Sequence, residues 1–299
     1  MSTSYPQRQT NEHLAAELTK PLSPERSIFN GGMTVLAFVL TGLALLPLLA
    51  ILIEILRQGI PHLKPEVFVS LPAPVGLEGV PNGFANAIIG TLMMVGIASL
   101  LSIPFGVMTG IFLSEFGQGS AIASSVRFIT TVLTGVPSII AGVFAYGVIV
   151  LTTKTFSAIA GGFALSVLML PVVALTTEQA LKLVPTNQRL ASAALGASHL
   201  QTTFRVVVAT AIPAITTGIL LAIARAAGET APLLFTALNS EVWPEGLFGP
   251  TPALSVMIYN YANSPFVEQN QLAWTASLVL VGLVVCISIL SRLVTRKRL

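Results

Sequence analysis

The chain has 299 residues, of which 54% are hydrophobic and only 9% are charged, and its formal net charge is +3. Soluble domains carry roughly 25% charged residues, so this composition, with a mean hydropathy of +0.84, excludes a water-soluble globule. Disordered chains are poor in apolar residues, which excludes that class as well. The composition predicts a polytopic membrane protein of the all-α class.

Side-chain chemistry narrows the class further. Cys286 is the single cysteine and excludes an intramolecular disulfide, and the three histidines are scattered, so neither a metal site nor a cofactor is expected. The basic residues lie in short loops and at the C-terminus, where membrane orientation accounts for them. The net charge therefore gives no indication of a nucleic-acid partner.

Six apolar stretches are long enough to cross a hydrocarbon core of roughly 30 Å, which takes about 20 residues. In chain order they are Met33–Leu56, Ala87–Leu113, Phe128–Leu151, Phe156–Thr176, Val206–Ala237 and Leu272–Leu290. The third and fourth contain Pro137 and Pro171, which are expected to kink helices. The sequence therefore predicts six transmembrane helices.

Loop charges set the orientation, because cytoplasmic loops carry an excess of Lys and Arg. With the N-terminus inside, three basic residues face outward (Arg57, Lys64 and Lys154). Eleven face inward: Arg8, Lys20, Arg26, Arg127, Lys182, Arg189, Arg205, Arg292, Arg296, Lys297 and Arg298. Both termini are therefore expected in the cytoplasm.

The spans divide the chain into four parts. Residues 1–27 are expected to be a cytoplasmic tail, because they are too acidic for a signal peptide. Within this tail, residues 11–19 either form a short amphipathic helix or are frayed. Residues 28–86 hold the first span and an outer loop, residues 87–292 a core of five spans, and residues 293–299 a basic tail.

The outer segments 57–85 and 238–271 are rich in Pro and Gly and are predicted to be irregular. Trp243 and Phe248 lie beside prolines in the second of them. Aromatic residues at a membrane edge are usually interfacial anchors. Docking of an external protein is the alternative.

The inner segment 177–205 is predicted to form two short helices parallel to the membrane. Pro185 can start the first, and Gly196 suits its end because glycine tolerates the left-handed conformation found there. Ser198 with Gln201 forms a capping box for the second. The small side chains around Gly196 suit a partner surface, and a plain amphipathic connector is the alternative.

Arg225 and Glu229 are charged residues inside an otherwise apolar span, where each costs at least ~2.5–3.5 kcal/mol. A separation of four puts both on one helical face, where they can pair. One interpretation is a structural lock between helices. The other is a path for an oxyanion, which the planar Arg fork matches, with Gly228 and Pro232 loosening the helix so that backbone N–H groups face the ion.

The inner segment resembles the cytoplasmic loop of binding-protein-dependent ABC importer permeases. That loop carries Glu-Ala-Ala, three residues, Gly, nine residues and Ile-x-Leu-Pro, and here Leu190, Ala191 and Ser192 fill the first positions before Gly196. Leu190 in place of the Glu and Ala209 in place of the Pro depart from the pattern. The resemblance implies that 190–192, Gly196 and Ser198 dock on an ATPase subunit, although a contact that depends on the Glu is missing.

Four segments, 86–95, 133–147, 168–185 and 218–238, further resemble phosphate-specific permeases of the PstA type. The resemblance implies a type I, MetI-like permease in the bacterial inner membrane, with inorganic phosphate as its substrate. It implies three partners: two copies of an ATP-binding cassette ATPase, a second permease of the PstC type, and a periplasmic or extracellular phosphate-binding protein. Residues on the ion path would be Arg225, Glu229, Thr230 and Asn86, the last of which could instead cap its helix.

No G-x-x-x-x-G-K-[ST] motif occurs in the chain, so ATP hydrolysis is assigned to the partner and the chain is not expected to be an enzyme. A permease for another oxyanion, sulfate or molybdate, is the close alternative. An ion-coupled carrier is disfavoured because no second helix carries a charge at mid-membrane. A membrane enzyme is disfavoured because acid–base chemistry would have too few groups.

Overall fold

The computed structural model describes residues 24–77 and 79–296 of the chain, and its regular elements there are helical. The helix predicted over 11–19, most of the tail 1–27, and residues 297–299 lie outside the described residues. The chain forms two compact units, residues 1–54 and 55–299. Within the first unit, the described residues form most of helix α1 (Pro24–Gly59), and most of the apolar side chains there are exposed.

Among the described residues of the second unit there are nine further helices. They are α2 (Ala85–Ile111, extended by a π turn Phe112–Phe116), α3 (Ala121–Gly135), α4 (Ser138–Thr153), α5 (Ala158–Lys182), α6 (Thr186–Ala194), α7 (His199–Ala227), α8 (Ala231–Leu234), α9 (Leu254–Ala262) and α10 (Val267–Arg296). Two 3₁₀ turns, Ile60–His62 and Pro65–Phe68, interrupt the irregular outer segment that precedes α2.

Five of the described helices, α1, α2, α5, α7 and α10, are long and apolar enough to cross a membrane. The third predicted span is instead two helices, α3 and α4, whose axes differ by 104°, and the count is six if this pair is one crossing. The bend falls at Val136, which is extended because a residue before proline avoids the α region. The all-α, multi-span prediction is confirmed, with this third span broken.

The fifth predicted span, Val206–Ala237, also differs from the structure. Helix α7 begins earlier, at His199, and ends at Ala227, and the chain then turns through residues 228–230 into the short helix α8. The interruption expected at Gly228 and Pro232 is therefore a complete helix end.

Close packing of α2 on α5 forms the centre of the second unit. The two helices run parallel with a constant offset: Gly106 faces Val173 and Gly110 faces Thr177, where an added Cβ would lie 2.8 Å and 2.6 Å from the facing side chains. Small residues allow backbones to approach in this way, which is how helices associate in lipid. The pair is therefore in close backbone contact at these two glycines.

The outer segment after α8 is irregular in backbone but firmly attached. Asn86 donates to the carbonyls of Ser240 and Val242, and the Ile159 amide donates to Leu247. Trp243 and Phe248 remain exposed, as an interfacial position requires.

Candidate functional site

The intramembrane charges lie at the break that follows α7. Arg225 is in the last turn of α7, and Glu229 is beyond its end, so the two do not share a helical face as the spacing predicted. They are nevertheless paired, with Arg225 Nε 3.4 Å from Glu229 Oε1. The Arg225 side chain is 58% exposed and the Glu229 side chain 17%.

The surroundings place this pair level with the middle of α5, a helix long and apolar enough to cross a membrane. A small pocket next to the pair is lined by Leu168, Met169 and Val172 of α5. These residues lie halfway along a 25-residue span. Helix α7 thus ends at mid-depth, with an exposed guanidinium at that end.

The break itself is held by backbone contacts. The amides of Gly228 and Glu229 donate to the carbonyls of Arg225 and Ala226, so these two groups are not directed at an ion as expected. The Ser255 hydroxyl of α9 donates to the Glu229 carbonyl at 2.8 Å. Gly142 of α4 packs so tightly on Pro232 that an added Cβ would be 2.5 Å from the Pro232 Cα. The bent pair α3–α4 therefore meets the break in α7.

Asn86 and Thr230 differ in their positions relative to the charges. Asn86 is 1% exposed and holds the outer segment, so the structure brings it neither to the pair nor into a capping position. Thr91, five residues further along α2, accepts a hydrogen bond from the Leu254 amide. Thr230 is half-buried directly after Glu229 and is the N-cap residue that precedes α8.

The inner segment has the predicted turn and capping box. Pro185 precedes α6, Gly196 has φ +80°, and Ser198 and Gln201 bond each other's backbone amides. The second predicted helix, however, is not a separate element, because it continues into α7. Helix α6 has no buried residue, and Leu190 and Leu195 are exposed.

Two buried carboxylates at the inner ends of the helices were missed from the sequence. Glu178 of α5 accepts from Arg127 of α3 at 2.6 Å and from Lys182 at 2.7 Å. Glu115, in the π turn after α2, pairs with Arg189 of α6. The i, i+4 spacing of Glu178 and Lys182 was visible in the sequence, whereas the partners from other helices were not.

Residues 102–299 match the family model described as binding-protein-dependent transport system inner membrane component. The chain belongs to this family. Three relatives cover most of it: phosphate transport system permease protein PstA of Haemophilus influenzae (40% identical; 90% of this chain, 94% of that one), the probable PstA of Methanocaldococcus jannaschii (38%; 81% and 84%), and PstA 1 of Mycobacterium tuberculosis (33%; 100% and 99%). Within the family the chain therefore groups with the PstA permeases.

Solved structures show the same fold. A subunit of the inward-facing MetNI methionine ABC transporter matches with a TM-score of 0.57 and 22% identity, covering 71% of this chain and 94% of its own. A chain of a bacterial alginate ABC transporter complex matches with a TM-score of 0.61 and 13% identity, covering 91% and 96%. The predicted MetI-like architecture is confirmed, and the family places the permease in the inner membrane as a multi-pass protein.

Proposed function

We propose that this permease is the membrane subunit of an ATP-driven importer of inorganic phosphate, and that phosphate passes Arg225. The proposal is supported by PstA relatives that align over nearly the whole chain. The chain carries no nucleotide-binding motif, so two ATPase subunits supply the energy. A phosphate-binding protein outside the membrane delivers the ion.

The observation that carries the ion path is an exposed arginine at mid-membrane depth. A charge used only to lock helices would be enclosed, because lipid exposure of a charge is expensive. The exposed side of Arg225 therefore faces a wet cavity, which we assign to the junction with a second, PstC-type permease. Glu229 weakens the field of Arg225, and passage requires binding weak enough for release.

Radiolabelled phosphate uptake, measured beside recovery of the assembled complex, tests this path. We expect Arg225→Gln to lower uptake at least about tenfold, because a hydrogen bond to a charged group is worth roughly 1.5–3 kcal/mol. Complex recovery should stay normal, since the exposed side chain packs little. Arg225→Gln with Glu229→Gln should stay inactive although charge is balanced, and the swap Arg225→Glu with Glu229→Arg should fail because it moves the cation past the helix end.

Normal uptake by the doubly neutral variant would show that the pair is a lock and would overturn the assignment. Competition by sulfate or molybdate at the concentration of phosphate itself would favour the alternative of another oxyanion. Uptake that continues without an ATPase subunit would instead identify an ion-coupled carrier.

Coupling to the ATPase is assigned to the surface formed by Leu190, Ala191, Ser192, Gly196 and Ser198. A Cβ on Gly196 would meet nothing within 4 Å, so the turn is open to a partner. We expect Gly196→Trp to weaken ATPase association or coupling and to lower uptake at normal membrane abundance. Gly119→Trp is the matched control: Gly119 also has positive φ, +75°, and open space, and lies on the same side of the membrane. Equal losses in both variants would contradict the docking assignment.

A further inference from the structure

Helix α6 is attached to the rest of the permease through few side chains. None of its residues is buried. Ser192 shares a hydrogen bond with Thr202, and Gln188 accepts one from Thr210, and both of these partners lie in α7. Arg189 is different, because its guanidinium reaches the inner ends of two other helices.

Arg189 makes a charged contact and a backbone contact at once. Its Nη1 pairs with Glu115 at the inner end of α2, and its Nη2 donates to the Leu181 carbonyl in the last turn of α5 at 2.9 Å. Glu115 is 3% exposed, and its second oxygen accepts from Ser114 at 2.8 Å. A buried carboxylate of this kind depends on its cation, so the contact is a firm one. The fork geometry of arginine makes both bonds possible from one side chain.

One of the two helices that Arg189 holds, α5, also lines the pocket beside Arg225. Helices α2 and α5 are packed backbone against side chain at Gly106 and Gly110, so the position of one constrains the position of the other. Helix α5 contributes Leu168, Met169 and Val172 to the pocket beside Arg225. A displacement of α6 would therefore reach α2 and α5 through Arg189, and the pocket through α5.

We propose that Arg189 is a positioning residue that transmits movement of α6 to the ion site, a role that rests on the proposed function above. Its side chain is 24% exposed and points from α6 to Glu115 and Leu181, whereas the neighbouring Leu190 belongs to the surface assigned to the ATPase. Its loss should leave the ATPase docked and hydrolysing ATP while transport per ATP falls. A residue that only stabilised the fold would lower both together.

The test uses the complete complex in liposomes, with the phosphate-loaded binding protein outside, and measures phosphate taken up per ATP hydrolysed. We expect Arg189→Gln and Glu115→Gln to lower this ratio about fivefold or more, the size of effect seen for residues that couple distant sites. ATPase subunit recovery should be unchanged. Arg189→Lys should recover part of the ratio, because it keeps the charge pair and loses the Leu181 bond.

Arg205→Gln is the matched control, since Arg205 is an exposed arginine of the same segment with no side-chain partner among the described residues. An unchanged ratio in Arg189→Gln, or loss of the ATPase subunits from that variant, would overturn the proposal. Either result would leave the proposed function intact. That function would fail separately if the unaltered complex took up no phosphate or hydrolysed ATP without regard to the loaded binding protein.

Discussion

Two ion pairs in this permease have the same i, i+4 spacing and similarly exposed cations, 55% for Lys182 and 58% for Arg225, yet their carboxylates differ in burial and in the number of cations that they bind. Glu178 and Lys182 belong to a cluster at the inner end of α5, where the Glu178 side chain is 4% exposed and also binds Arg127. Arg225 and Glu229 lie at mid-depth, 3.4 Å apart. Arg225 has no other side-chain partner among the described residues and is largely exposed.

The difference teaches that spacing alone does not separate a lock from a site. A lock encloses its carboxylate and supplies more than one cation, because a buried charge must be compensated. A site for a passing anion keeps its cation open and only moderately paired. By this criterion we infer that Glu178, which binds two cations, stabilises the fold, and that Arg225, held by one carboxylate at 3.4 Å, is the candidate for binding a ligand.

The same substitution at the two carboxylates should impair different properties. Glu178→Gln should mainly lower stability, and Glu229→Gln should mainly lower phosphate uptake. Glu178→Gln is expected to lower the stability of the purified permease by about 1–3 kcal/mol, because strong bonds to two cations are weakened. Glu229→Gln should change stability by less than about 1 kcal/mol, as for other exposed pairs, and should lower phosphate uptake at least severalfold by making release slower. Thermal unfolding in detergent and uptake in cells measure the two effects.

Abundance-corrected uptake provides the control for both carboxylate variants. If Glu178→Gln lost uptake at full stability, or Glu229→Gln lost stability as severely as Glu178→Gln, the distinction between lock and site would be wrong.

A substitution at the contact between Gly142 and Pro232, next to the Arg225–Glu229 pair, should have a smaller effect. Gly142→Ala places a Cβ 2.5 Å from the Pro232 Cα, so the break next to Glu229 has to shift. Overpacking of this kind costs about 1–3 kcal/mol, and we expect uptake to fall a few-fold through the altered position of Glu229.

Gly147→Ala on the same helix tests whether the effect belongs to the contact. Nothing lies within 4 Å of a Cβ at Gly147, so this variant should match the unaltered protein in uptake and unfolding temperature. Equal effects at the two positions would show that loss of helix flexibility, not the Pro232 contact, is responsible.

Composition and local sequence pattern were sufficient to predict much of this architecture. Long apolar runs predict membrane helices because lipid leaves the backbone no other partner, and the Ser198 capping box and the Gly196 turn depend only on neighbouring residues. The breaks were harder to place. Pro137 was seen, but a 104° bend depends on what α3 and α4 pack against, and that information is not local.

The candidate site remains a prediction, and the structure differs from the geometry expected for it. Arg225 and Glu229 were found because charges are rare in apolar spans, but the helix end between them was not expected. Asn86 was expected at the path, and the structure uses it to hold an outer segment more than 150 residues away in sequence. Arg189 and Glu115 are 74 residues apart, so their pairing could be found only from the fold.

The smallest expected effect concerns the outer segment that Asn86 also holds. The Tyr261 hydroxyl in α9 donates to Glu241 at 3.3 Å, and burial, with the neighbouring Glu241 carboxylate, raises the pKa of Tyr261 above its ordinary value. Tyr261→Phe should lower stability by about 0.5–1.5 kcal/mol, the usual worth of one hydrogen bond, and leave uptake nearly unchanged.

The stability that Tyr261 contributes should depend on pH. Because a raised tyrosine pKa favours the protonated form in the folded state, this stability is complete below the ordinary pKa of about 10 and declines above it. Unfolding midpoints of the two proteins should therefore differ by a constant amount from pH 6 to 9 and converge at higher pH. A difference that changed across the neutral range would mean that some group other than Tyr261 controls the attachment of this segment.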